Sequence, residues 1–61
     1  MNFIGVMMHR HDFSLEEARA EWKDALDLIR DALEEGEDPE DVLLDLFGLE
    51  PDYLEEFLPY L

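Results

Sequence analysis

Eight carboxylates fall between positions 16 and 35 of this chain: Glu16, Glu17, Glu21, Asp24, Asp27, Asp31, Glu34 and Glu35. Paired carboxylates can perform acid–base work only where one is desolvated in a pocket and its pKa is perturbed. Three short helices rarely enclose such a pocket. His9 and His11 with Asp12 form a second constellation, since a His-x-His spacing can turn two imidazoles to one side of a strand and a carboxylate can add a third ligand. No other histidine exists to join them, so they read as surface residues near which acids are offset. Ser14, the only serine, is needed as a helix cap and is no nucleophile. There is no glycine-rich phosphate loop, and the acidic stretch around Asp38 lacks the spacing of a calcium-binding EF-hand loop. No catalytic residue, metal or cofactor is expected, and the chain does not read as an enzyme.

The elements that must carry these carboxylates follow from capping and periodicity. Ser14-Leu15-Glu16-Glu17 is a capping box, in which the serine hydroxyl and the glutamate side chain each accept from the other residue's amide. From there Leu15, Ala18, Trp22, Ala25, Leu26, Ile29, Ala32 and Leu33 recur at three- and four-residue steps, which predicts a helix over 15–35 with one apolar face. Gly36 suits its left-handed end. Asp38 and Pro39 predict a second helix, with Val42, Leu43, Leu46 and Phe47 as its apolar face and Gly48 as its close. Pro51 opens a third, striped by Leu54, Phe57, Leu58 and Leu61 until Pro59 frays it. Residues 1–13, with Phe3, Ile4, Val6, Met7 and Met8, are expected to form an apolar arm; packing as irregular chain is weighed evenly against a strand or short helix. The fold class is thus all-α: a three-helix domain over 14–61, one long helix and two short ones, behind an N-terminal arm over 1–13.

Composition narrows the partners. Eighteen acidic residues stand against four basic ones, a net charge of −14. Such a coat repels nucleic acid and anionic membranes and draws in basic surfaces. Disorder is the usual reading of so acidic a chain, yet 48% of the residues are hydrophobic and sit at helical spacing. A chain this short buries only ~60% of its unfolded surface, and without cysteine it has no disulfides to compensate. A homodimer would add core and is allowed. No apolar run is long enough for a membrane span, and the start lacks the basic leader of a signal peptide; a soluble, non-exported protein is expected.

Turning the first helix by ~100° per residue puts Glu17, Glu21, Asp24, Asp31 and Glu35 opposite the apolar stripe, flanked by Asp27 and Glu34. Arg19, Lys23 and Arg30 gather on one margin, where Lys23–Asp27 and Arg30–Glu34 pairs fit an i,i+4 spacing. Eight carboxylates over ~30 Å of helix amount to one charge per ~4 Å, against one per ~3.4 Å along a strand of B-DNA. Leu28 falls within this acidic face, either as an ordinary exposed leucine or as an apolar contact inside an electrostatic surface. Leu44 is similarly off-face, and Tyr53 and Tyr60 are expected first to pack at the edge of the core and second to suit the rim of an interface.

The tail carries a resemblance. Asp38-Pro39-Glu40-Asp41-Val42-Leu43-Leu44-Asp45-Leu46-Phe47-Gly48-Leu49-Glu50-Pro51-Asp52-Tyr53-Leu54 resembles the C-terminal half of small proteins carried by phages and plasmids, most distinctively in Phe47 to Tyr53. In size and charge the whole chain is similar to DNA-mimicking inhibitors of phage defence, the anti-CRISPR and anti-restriction proteins. Those inhibitors share no common motif, so the resemblance assigns no residue. It implies an inhibitor from a mobile element that blocks a basic, nucleic-acid-binding complex. On the residues, the expected partner contacts are Glu17, Glu21, Asp24, Asp27, Leu28, Asp31, Glu34 and Glu35. The competing expectation is an antitoxin or assembly subunit that binds through the N-terminal arm, Leu28, Leu44 and the aromatic tail. Acidity as an adaptation to high salt is a third.

Overall fold

The computed structural model describes residues 2–61. The chain is all-α: α1 (Phe3–Arg10), α2 (Leu15–Glu34) and α3 (Pro39–Phe47) are followed by two short 3-10 segments, Pro51–Glu56 and Leu58–Tyr60. Among the described residues there is no strand.

The expected N-terminal arm is a helix. Asn2 caps it, its side-chain oxygen accepting from the Gly5 amide at 2.7 Å. Phe3, Val6 and Met7 lie at i, i+3 and i+4, so one face of α1 is buried against the rest of the chain. The segment is short and contains Gly5 and two β-branched residues, which obscures that periodicity in the sequence. Residues 3–10 therefore belong to the same core as α2 and α3; Met1, the first residue of the expected arm, lies outside the described residues. Asp12, with φ of 55°, turns the chain between α1 and α2.

The capping box closes the start of α2 as its residues require: the Ser14 amide donates to Glu17 Oε1 at 3.1 Å and the Glu17 amide to Ser14 Oγ at 3.2 Å. At its end Gly36 takes a left-handed φ of 79°, which lets the Glu37 amide donate back to the Ala32 carbonyl at 2.7 Å. Asp38 then caps α3 through the Glu40 amide at 2.9 Å. Gly48 ends it, and the Leu49 amide folds back onto the Leu43 carbonyl.

The core is aromatic at its centre. The Phe3 ring meets Phe47 and Phe57 edge-on at 5.4 and 5.6 Å between centroids. Phe57 in turn stacks on Trp22 at 5.2 Å, and Tyr60 meets Trp22 edge-on at 5.0 Å. Two polar contacts hold the tail in place: the Phe3 amide donates to Glu56 Oε2 at 2.8 Å, and Arg30 Nη2 donates to the Tyr60 carbonyl. The first puts a carboxylate at the N-terminus of α1, where the helix dipole favours an anion.

The tail departs from the α-helix expected there. It folds as two 3-10 segments whose amides bond three residues back, Tyr53 to the Glu50 carbonyl, Phe57 to that of Leu54 and Tyr60 to that of Phe57. That pitch turns Phe57 fully inward and leaves Leu58 and Leu61 exposed, so the apolar stripe read over 54–61 is only half used. On α3, Leu43 is buried but Leu46 is 62% exposed, which removes Leu46 from the expected core face. Leu15 and Leu33, at the two ends of the α2 stripe, are exposed.

Candidate partner-binding surface

Ala18, Ala25, Leu26, Ile29 and Ala32 are the buried side of α2. Small residues at Ala18, Ala25 and Ala32 let the neighbouring elements approach closely, while Ile29 and Leu26 supply the apolar volume. Packing of that face sends the opposite one to solvent. Glu17, Asp24, Asp27, Asp31, Glu34 and Glu35 are all exposed, and Glu16 with them. Leu28 lies among them at 39% exposure. These residues run along an unbroken helix of 20 residues, ~30 Å at 1.5 Å per residue. The long axis of the molecule is 33 Å, so the acidic row spans nearly the whole of one side.

Two of the expected contacts differ from the rest. Glu21 is half-buried and faces a small depression that it lines with Met7, His11, Phe13, Leu46 and Phe47. It marks the edge of the acidic face, next to α1 and α3. Glu17 is exposed, but one of its oxygens is engaged by the capping box. The hydrogen bond from the Ser14 amide, and then that from the Ser14 hydroxyl, hold its carboxyl below the usual carboxylate range. Both bonds favour the charged form.

Cations are few along this row. Arg30, read from the sequence as a partner for Glu34, has its Nη2 on the Tyr60 carbonyl. α2 has no basic residue in its last turn, and Asp31, Glu34 and Glu35 occupy that end. A helix C-terminus carries partial negative charge and favours cations. Three carboxylates there work against the stability of the helix itself.

The sequence alone does not show the packing of Phe57 and Tyr60 on Trp22 or the Arg30 contact, because both join residues thirty or more positions apart through a 3-10 tail. Nor does it show Leu46 exposed. On the helical wheel Leu46 falls between Val42 and Leu43, inside the apolar face, so the sequence carries no signal of it.

His9 and His11 are exposed, and the His11 ring lies 5.6 Å from that of Phe13. Among the described residues no group of three or more His, Cys, Asp or Glu is arranged to hold a metal ion, and no helix is long and apolar enough to cross a membrane. The concave features are open depressions on the surface, one of them about 460 Å³ and lined by Glu37, Asp38, Asp41, Val42, Asp45 and Leu46. No buried side-chain nitrogen or oxygen among the described residues lacks a hydrogen-bond partner. The arrangement offers charge presented on a rigid support, and its chemistry is that of an anionic ligand. No protein-family model, curated protein or solved structure matches this chain.

Proposed function

We propose that this protein is a non-enzymatic inhibitor from a mobile genetic element. Working in the cytoplasm of a bacterial host, it blocks a defence nucleoprotein complex of the anti-CRISPR or anti-restriction type. The acidic face of α2 takes the place of nucleic acid in a basic channel. Asp24, Asp27, Asp31, Glu34 and Glu35 are the principal contacts, with Glu17 and Glu21 at the margins and Leu28 as an apolar contact among them. The mechanism is competition: lysines and arginines arranged for phosphates meet carboxylates already fixed on a helix, so little ordering entropy is lost on binding.

One observation carries this reading. Seven carboxylates, Glu16, Glu17, Asp24, Asp27, Asp31, Glu34 and Glu35, stand exposed along one helix, one per ~4 Å, a linear density close to that of a nucleic-acid strand. Their crowding at the C-terminal end of α2 supports it further, because that placement opposes helix stability. A small domain has little stability to spare.

A second reading has its own support. Leu44, Leu46 and Leu58 are each more than half exposed, which suits an antitoxin or assembly subunit that binds through apolar surface.

The test is capture of proteins from a bacterial lysate on the immobilised chain, followed by competition with double-stranded DNA and with RNA. Under the first reading the captured proteins bind nucleic acid, and the competitor releases them. Retention unaffected by either nucleic acid would contradict mimicry and favour the apolar module. Asp24→Lys, Asp27→Lys and Asp31→Lys together abolish capture under the first reading and spare it under the second.

A further inference from the structure

Val42 and Leu46 lie one turn apart on α3, and Leu46 is 62% exposed. With Glu37, Asp38, Asp41 and Asp45 they line the open depression of about 460 Å³. Its lining is two apolar side chains and four carboxylates, and neither lysine nor arginine lines it. Asp45 sits in the last turn of α3, where the helix dipole favours a cation and where α3 has no basic residue.

We infer that this groove docks a basic amphipathic segment of a partner protein. An apolar side chain rests on Val42 and Leu46, and lysines or arginines lie over Asp41 and Asp45. Charge complementarity selects this occupant over others. A second copy of the chain would bring its own −14 against the same carboxylates, and a nucleic acid or an anionic lipid surface would bring phosphates. A wholly apolar partner would strip water from four carboxylates without replacing its hydrogen bonds. Only a segment with both characters covers the leucine and compensates the carboxylates. The inference goes beyond the α2 reading, since it concerns another helix and an apolar anchor, and either can stand without the other.

The probe is a synthetic peptide of leucine and lysine with its leucines at helical spacing, ~14 residues or about four turns long. An isomer with the same residues in alternating order is the control. Each is titrated into the isotope-labelled full chain at about 0.15 M salt, where exposed charges are screened beyond ~8 Å. The helical-spacing peptide is expected to bind about tenfold more tightly than its isomer, with amide shifts concentrated between Glu37 and Leu46. Leu46→Asn, with an unchanged circular dichroism spectrum, is expected to weaken it about tenfold, while Leu58→Asn leaves it within about twofold. Equal binding of the two peptides, shifts confined to α2, or a Leu46→Asn chain that binds like the parent would overturn the inference. So would a dimer of the free chain, seen in sedimentation and abolished by Leu46→Asn, because a second copy would then be the occupant.

Discussion

Phe3 shows how much a single residue near the terminus can carry in a chain of this size. It is fully buried, touches Phe47 and Phe57 edge-on, and gives its amide to Glu56. Phe3→Ala is expected to cost ~3–5 kcal/mol, typical of a deleted core aromatic. Such a loss is comparable to the whole stability of a small domain, so thermal denaturation should show no cooperative transition. A melting curve like the parent's would mean that α1 is not part of the core. Leu28, among the carboxylates, is the contrast: Leu28→Ala should change stability by less than ~0.5 kcal/mol. Ser14 is testable through its partner. Ser14→Ala removes the hydroxyl cap at a cost of ~1 kcal/mol, and the Glu17 carboxyl then rises part of the way toward its ordinary value, the residue-14 amide still holding it down, as a side-chain NMR titration would record. The sign follows from linkage. Glu17 is held below the usual range, so its contribution is present above the ordinary carboxylate pKa and is lost as pH falls through the lowered one. The variant should therefore lose less stability than the parent over that acid interval. A Glu17 titration unchanged by Ser14→Ala would contradict the assignment.

The three α-helices differ in how openly their residues announce them. The capping box, the long apolar stripe and Gly36 define α2 from local chemistry, and Asp38-Pro39 and Gly48 do the same for α3. α1 is hidden because eight residues give barely two turns of periodicity, and Asn2 is a cap only once the helix exists. The tail is hidden for another reason: it packs through contacts with Trp22 and Arg30, which are tertiary. The acidic face was legible in the sequence as a direction on a helical wheel. The half-burial of Glu21 was not, because it depends on where α1 and α3 pack. At this scale the account makes a claim about α2 itself. Asp31→Lys and Glu34→Lys put cations where its dipole favours them, so the melting temperature should rise. By roughly 0.3–1 kcal/mol per favourable end charge, the gain is a few degrees for a domain this small. The same substitutions should weaken partner binding. A variant that melts lower than the parent would mean that the carboxylates are held by contacts that stabilise the helix.

For the molecule as a whole, the net charge of −14 has opposite consequences for folding and for binding. Self-repulsion opposes the compact state and is relieved by screening. Salt should therefore raise the melting temperature while it weakens attachment to a basic partner. An acid coat that is only an adaptation to high salt predicts the first effect without the second. The acidic row on α2 runs nearly the full 33 Å of the molecule, so a channel that accepts it must be long, narrow and basic. The decisive measurement is the affinity for a captured nucleic-acid-binding target across a series of salt concentrations. It is made with the parent chain and with Asp24→Lys, Asp27→Lys and Asp31→Lys combined. The account predicts a steep loss of affinity with salt for the parent, and no measurable binding for the folded variant. An affinity that stays flat with salt, or a variant that binds as tightly as the parent, would contradict it.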